Sequence, residues 1–332
     1  MNPQRNTTIA GTGMYVPPKV VPNSYFNELL GEDVDTWLRQ NVQIFERRWT
    51  GPDESTADLA ENAALQALQN AGLKAEDLDL IIISTDTPEY ISPSTASVVQ
   101  HRLGAVNAGT FDINTACAGF VTALDMGAKY ITADARYEHI LVIGAYNMSK
   151  YLDMADKKTV TLFADGAGAA VLSSTTGGEA GLKASRLRTR GEYAGWMGIY
   201  AGGAHTPVSD KVLEEKTQLL QFVKKFPPEL NPNTWSGMIK ELCEEAGISP
   251  EQIGRYFITQ ININAIHATL DILGEPHHKA ETVMHHYGYT GSACIPMALH
   301  QANEAGRIQR GDYLMFIGSG GGLAFAGALI KY

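Results

Sequence analysis

Apolar residues along this chain follow two rhythms. Short continuous runs rich in branched side chains, "LIIIST" from Leu80, "HILVIG" from His139, "YFITQI" from Tyr256 and "YLMFIG" from Tyr313, have the length and composition of strands buried on both faces. Between them lie longer segments whose apolar positions recur every three or four residues, the spacing of a helix with one buried face. Strands alternating with helices predict an α/β architecture of stacked layers.

The pattern repeats. "AGLKAEDLDLIIIST" from Ala71 lies on "AGISPEQIGRYFITQ" from Ala246, each leaving a helical segment and entering a strand, at a separation of 175 residues. "YEHILVIGA" from Tyr137 lies on "RGDYLMFIGS", with Gly144 and Gly318 in register at a separation of 174. Two matches at nearly one offset predict a duplicated chain, with halves at 1–178 and 179–332 packed about a pseudo-two-fold axis. "ADGAGAAVLSST" corresponds loosely to the closing "GSGGGLAFAGALIKY", and the first half carries an extra stretch, "NMSKYLDMADKKTV", before its closing strand. The turn around Cys117 falls opposite Gly291 or Ser292. That turn, the turn around Tyr289 and the strand ends at Ser84 and Thr259 are expected to gather where the halves meet.

Composition narrows the function classes. The 332 residues are 44% hydrophobic and carry a net charge of -10. That excess of acid argues against a general binder of nucleic-acid backbone, while leaving room for a local basic patch on a phosphorylated cofactor. The opening "MNPQRNTTIAGTGMYVPP" lacks the apolar core of a signal peptide, and no apolar run reaches the roughly 18 residues of a membrane span. A soluble, cytoplasmic protein is expected. Cys117, Cys243 and Cys294 are too few and too far apart for a disulfide framework or a closed zinc site. The pairs His277-His278 and His285-His286 point to opposite sides of most backbones, so no metal is expected. "DGAG" at 165 to 168 lacks the lysine and spacing of a phosphate loop and reads as a structural turn. "EDVD" from Glu32 reads as an exposed helix start.

The cysteine in "FDINTACAGFVTALDMGAKYI" sits where a strand-like run meets a helix-like run. A cysteine at such a junction can be an inert buried residue. Small neighbours, Thr115, Ala116, Ala118 and Gly119, and a helix starting there argue for more. Unpaired N–H groups and the positive end of the helix dipole would favour a thiolate and could hold the oxyanion formed when a thioester is attacked. "GSGGG" would supply a second donor.

These residues resemble the β-ketoacyl-ACP synthase III branch of the thiolase superfamily. "TACAGF" is similar to the nucleophile turn, "LFADGAGAAVLSS" to the signature after the mid-chain strands, and "GSGGGLAFAGALIKY" to the C-terminal glycine turn and strand. "ISPSTASVVQHRLG" and "TGSACIPMALHQANEAGRIQRGDYLMF" fit too, so the likeness runs from about residue 8 to the end. It implies a thiolase-like duplicated five-layer αβαβα fold, a homodimer with strands paired across its interface, and acylation of the cysteine from a CoA or ACP thioester with no tightly bound cofactor.

Carried over residue by residue, the resemblance makes Cys117 the nucleophile, with its own N–H and that of Gly321 as oxyanion hole, and Trp37 the stacking partner of the CoA adenine. Other positions depart. "ITQIN" puts Thr259 where the family has a catalytic histidine, keeping Gln260 and Asn262 as substrate-binding residues. "YGYTGSA" puts Tyr289 where it has an asparagine. Asn41 and Asn264 replace arginines near CoA phosphate and at carrier-protein docking, leaving Arg47 and Arg48 as candidate phosphate contacts. Ser92 replaces a phenylalanine of the acyl tunnel, where head-to-head condensing relatives have a glutamate base.

Thr259 and Tyr289 can each donate a hydrogen bond, but neither is a base near neutral pH, and tyrosine is larger than asparagine. The expected function is therefore transfer of an acyl group through Cys117 to an acceptor, in specialised or fatty-acid-type biosynthesis. One alternative is ordinary decarboxylative condensation with malonyl thioester, a loop histidine such as His205 or His286 standing in. Another is a non-catalytic subunit in a heterodimer with a paralogue.

Overall fold

The computed structural model describes residues 5–332; the first four residues of the N-terminal stretch lie outside them. Strands β1 (Arg5–Tyr15), β2 (Leu80–Ser84), β3 (Gly109–Ile113), β4 (His139–Asn147) and β5 (Asp165–Thr176) form one sheet in the order β1-β5-β4-β2-β3. Strands β6 (Gly181–Thr189), β7 (Ile253–Ile258), β8 (Tyr313–Gly320) and β9 (Ala324–Lys331) form a second in the order β6-β9-β8-β7. The wiring is the same in both. A parallel pair, β2 with β4 or β7 with β8, is followed by an antiparallel neighbour, β5 or β9. An antiparallel outer strand, β1 or β6, completes each sheet. At the place of β3 the second sheet has, among the described residues, only a parallel bridge between Tyr256 and Ala280.

Helices complete the layers. α1 (Thr56–Ala71) and α2 (Thr95–Leu103) pack on the first sheet, and α4 (Leu230–Glu245) covers the second with α5 (Ile263–Leu273) beside it. Between the sheets run α3 (Gly119–Ala133) and α6 (Cys294–Glu304), each in contact with strands of both. Their sequences explain the position: "GFVTALDMGAKYITA" and "CIPMALHQANE" bury residues around most of their circumference, which only a helix enclosed on several sides can do. The result is the expected five-layer duplicated fold.

The glycines that the repeat aligned have matching jobs. A Cβ on Gly144 of β4 would lie 2.2 Å from the Ser292 carbonyl oxygen, and one on Gly318 of β8 would lie 2.7 Å from the Ala118 Cα. Each half thus seats the other half's turn against a bare strand backbone. "DGAG" differs from its expected role: residues 165 to 168 open strand β5 rather than forming a turn. Its glycines are there for packing, since a Cβ on Gly168 would come within 2.6 Å of the Met297 nitrogen at the start of α6. Asp165 is buried and accepts hydrogen bonds from the Thr50 and Ser149 amides at 2.7 and 2.8 Å, tying two loops to the strand. At "EDVD", Asp33 is exposed and accepts from the Thr36 amide at 3.2 Å, in keeping with a helix start.

Candidate active site

The cysteine turn is built from three directions. β3 ends at Ile113, and the chain reverses through Ala116, whose φ of 45° is left-handed and rare for a residue with a Cβ. The Asn114 Oδ1 accepts from the Ala116 amide at 3.0 Å, and the Thr115 carbonyl from the Ala118 amide at 3.1 Å. One tight turn, Ala116–Ala118, then runs into α3. From β2, Ser84 closes on Gly119; from β8, Gly320 lies so near that a Cβ there would be 2.4 Å from the Cys117 nitrogen. The backbone is held in place, and the sulfur with it.

Cys117 is 3% exposed but not sealed, because two cavities meet at it. The larger, about 600 Å³, is lined by Trp37, Lys158 and Lys225 and also by Asn262, Thr259, Tyr289 and Cys117. The smaller, about 270 Å³, shares Cys117, Phe163 and Met197 with the first and adds Asp86, Tyr146, Leu220 and Gly321. Trp37 is 53% exposed, which leaves its indole face open for stacking.

Electrostatics at the sulfur differ from the expectation of a favoured thiolate. Burial pushes the Cys117 thiol well above its ordinary range, and the Asp86 carboxyl pushes it further. The nearby Tyr289 hydroxyl opposes this by favouring the charged sulfur. Neither cavity is lined by a histidine among the described residues, so beyond the amides of the turn little offsets the cost of a desolvated anion.

Thr259 is buried, and its hydroxyl is already committed. It accepts from the Ser319 amide at 2.8 Å and donates to the Ser319 carbonyl at 3.4 Å, fastening the end of β7 to the glycine turn. Tyr289 is wholly enclosed and packs on Phe163 with ring centroids 5.3 Å apart. Its phenol occupies part of the space a second substrate would need.

Other expected residues lie elsewhere. Gln260 lines neither cavity: its Oε1 accepts from the Val283 and Met284 amides at 2.7 and 3.2 Å, and its Nε2 donates to the Glu281 carbonyl at 3.1 Å. It is a brace for the loop leading to Tyr289, buried away from both cavities. Ser92 is exposed in the loop after β2 and lines neither cavity within the chain. Arg47 is fully buried, bonded to the Val21 and Thr161 carbonyls and Asn23, and desolvation brings it down to about 9. Arg48 faces Glu46 at 3.5 Å. Neither reaches the cavity. His205 and His286 are exposed and outside both cavities. Asn264 Nδ2 donates to the Asn41 carbonyl at 2.6 Å, so the two positions lacking the family's arginines are bonded to each other. No cluster of metal-ligating side chains occurs among the described residues.

Two features went unread in the sequence. The extra stretch before β5 places Lys157 and Lys158 on the larger cavity, and Lys225 joins them; Lys157 pairs with Glu32 at 3.0 Å. In the sequence the stretch is marked by its length as an insertion, and its paired lysines are the signal of a phosphate contact. The second is Asp86, two residues beyond β2 and partly buried, with its Oδ1 covered by protein and lacking a hydrogen-bond partner among the described residues. Desolvation pushes this carboxyl up to about 6.

That displacement has a sign. An unfolded chain releases the proton near 3.8, the folded protein holds it to about 6, so stability falls as pH rises between those values. Asp86→Asn is expected to match the parent protein near pH 4 and to exceed it by up to about 3 kcal/mol at pH 7.5. Urea denaturation at the two pH values reads this; equal stability at pH 7.5 would contradict it.

A duplicated five-layer fold, with a cysteine on a helix-initiating turn between its halves and an open cavity leading to the sulfur, defines an acyl-transferring enzyme of the thiolase superfamily. Residues 111–191 match the model of 3-oxoacyl-[acyl-carrier-protein] synthase III, and residues 243–332 that of its C-terminal region. The β-ketoacyl-[acyl-carrier-protein] synthase III of Clostridium perfringens is 38% identical, covering 98% of this chain and 99% of the relative. Among solved structures, the 3-oxoacyl-[acyl-carrier-protein] synthase III of Aquifex aeolicus superposes with a TM-score of 0.88 at 32% identity over 98% of this chain and 100% of the other. The Thermus thermophilus synthase III gives 0.89 at 30% identity over 98% of each. The chain belongs to the β-ketoacyl-ACP synthase III family.

Proposed function

We propose that the enzyme loads an acyl group onto Cys117 from a CoA or carrier-protein thioester and passes it to an acceptor, in fatty-acid-type or specialised biosynthesis. The observation that carries this reading is the cavity of about 600 Å³ that has Trp37 and Cys117 on one continuous lining. Trp37 stacks the adenine, Lys158 and Lys225 meet phosphate, and the pantetheine passes Asn262 toward the sulfur. Cys117 Sγ attacks the thioester carbon; the amides of Cys117 and Gly321 receive the oxyanion. As the carbonyl re-forms, the donor's C–S bond breaks, and the proton lost from Cys117 ends on the departing thiol. Tyr289 donates to the sulfur while it carries charge.

Decarboxylative condensation finds less support. The Thr259 hydroxyl is engaged by Ser319 and Tyr289 fills space, so neither holds a malonyl carbonyl as a histidine and an asparagine would. The high-lying Cys117 thiol favours the alternative of a non-catalytic subunit. β3 is a free sheet edge, and the nearby loop carries Tyr90 and Ile91, the latter 86% exposed. We take this region as the pairing surface for a second copy or a paralogue.

The test is to incubate the protein with a panel of acyl-CoAs and locate any adduct by peptide mass. An acyl group on the Cys117 peptide is the expected result; no adduct with any donor would defeat the reading in favour of the scaffold subunit. Trp37→Ala is expected to raise KM for acyl-CoA about tenfold with kcat little changed, as loss of one base-stacking contact should. An unchanged KM in steady-state acylation assays would remove Trp37 from the site.

A further inference from the structure

The smaller cavity contains an unanswered polar group. Most of its lining is apolar or aromatic, including Tyr146, Met148, Phe163, Met197, Ile199 and Leu220. Into that lining comes Asp86, whose Oδ1 has no partner although buried carboxylates are almost always hydrogen bonded. Among the described residues, none of the other polar side chains on this lining reaches the Asp86 Oδ1: the Tyr200 hydroxyl donates instead to the Ala194 carbonyl at 3.0 Å, and neither Asn114 nor Tyr146 bonds to it. The Oδ1 is itself covered by protein, but Asp86 as a residue keeps accessible surface and lines this cavity, so a ligand there meets the side chain from its open side. An unsatisfied acceptor costs stability unless something arrives to satisfy it.

We propose that the smaller cavity holds the acyl chain of the Cys117-bound substrate and selects a short hydroxyacyl group, whose hydroxyl donates its hydrogen bond to Asp86. This rests on the reading that Cys117 is acylated, and it names the substrate class. A plain alkyl chain would leave Asp86 desolvated and unpaired, so it is the disfavoured cargo. A hydroxyl meets the need with one donor. An ammonium would add a second desolvated ion to the same interior, with its own cost. Sites built around a buried hydrogen-bonding group reject the analogue lacking its partner far more strongly than apolar pockets reject an extra methylene.

Binding to Cys117→Ala isolates selection from chemistry. Isothermal titration should show 3-hydroxybutyryl-CoA or 4-hydroxybutyryl-CoA binding at least tenfold more tightly than butyryl-CoA, and Asp86→Leu in the same background should bring that ratio to about one. Asp86→Asn, which keeps the volume and removes the charge, serves if the leucine variant fails to fold, and should shrink the ratio severalfold. Equal or tighter binding of butyryl-CoA to Cys117→Ala overturns the proposal, as does tighter binding of 3-aminobutyryl-CoA than of either hydroxyacyl thioester. A ratio that persists in the Asp86 variants overturns it as well. Failure of Cys117 acylation in the parent protein would show separately, as absence of any adduct by mass, with the binding ratio still readable.

Discussion

Cys117→Ala is expected to abolish acyl-adduct formation completely, while Cys243→Ala and Cys294→Ala leave it in place. Three thiols compete for the assignment, and burial raises all of them, Cys243 to about 11 and Cys294 to about 12. Acidity therefore does not choose among them; access does. Neither Cys243 nor Cys294 lines the cavities, whereas Cys117 lines both. Cys294 also opens a helix, α6, but no cavity reaches it, whereas the amides of the turn that begins α3 lie beside a sulfur that substrate can reach. Intact-mass measurement after incubation with an accepted acyl-CoA decides the matter, and an adduct persisting in Cys117→Ala would show that the chemistry lies elsewhere. Because the thiol lies high, the parent protein's acylation rate should also climb about tenfold per pH unit between pH 7 and 8.5.

Gly320→Ala is expected to cut Cys117 acylation at least about a hundredfold in a protein that still folds. The new methyl would lie 2.4 Å from the Cys117 nitrogen and 2.6 Å from the Thr115 carbonyl oxygen, both backbone atoms of the nucleophile turn. Rigid neighbours of this kind must move bodily, and overpacking costs about 1–3 kcal/mol. A displacement near 1 Å at a reacting group is enough for a loss of about a hundredfold. Gly321→Ala is the control: its methyl would meet only the Met197 carbonyl at 3.3 Å and the Ala116 Cβ at 4.0 Å. It should retain acylation within about tenfold, since the amide that serves the oxyanion hole is unchanged. Comparable losses in both variants, measured by single-turnover mass spectrometry, would contradict the crowding argument.

The fold was legible because duplication writes itself twice. A repeat at an offset of 174 to 175 residues predicts two like halves with their turns gathered together, and the two sheets share one wiring while Cys117, Thr259 and Tyr289 line one cavity. Cys117 was legible for a local reason: small residues and a helix start lie beside it in sequence. Gln260 was not, because a polar side chain beside a site can brace a loop or bind substrate, and only its three backbone partners distinguish the two. Arg47 and Arg48 looked suited to phosphate by charge, yet one is consumed inside the protein and the other faces Glu46. The lysines that do line the cavity come from the insertion before β5 and from residue 225, remote from every motif. Asp86 escaped for a similar reason. The cavity it lines is completed by Ala194, Met197 and Leu220, more than a hundred residues away, and nothing beside it in the chain announces them.

The reciprocal seating of Ala118 on Gly318 and of Ser292 on Gly144 bears on how this ancestry can be cut apart. Expressed alone, residues 1–178 would carry the thiol but lack the floor beneath it, so a severed N-terminal fragment should be inert until its sister fragment is supplied. Gene duplication here left two copies as mutual prostheses, and the second, having no nucleophile of its own, persists as the mould in which the first is held.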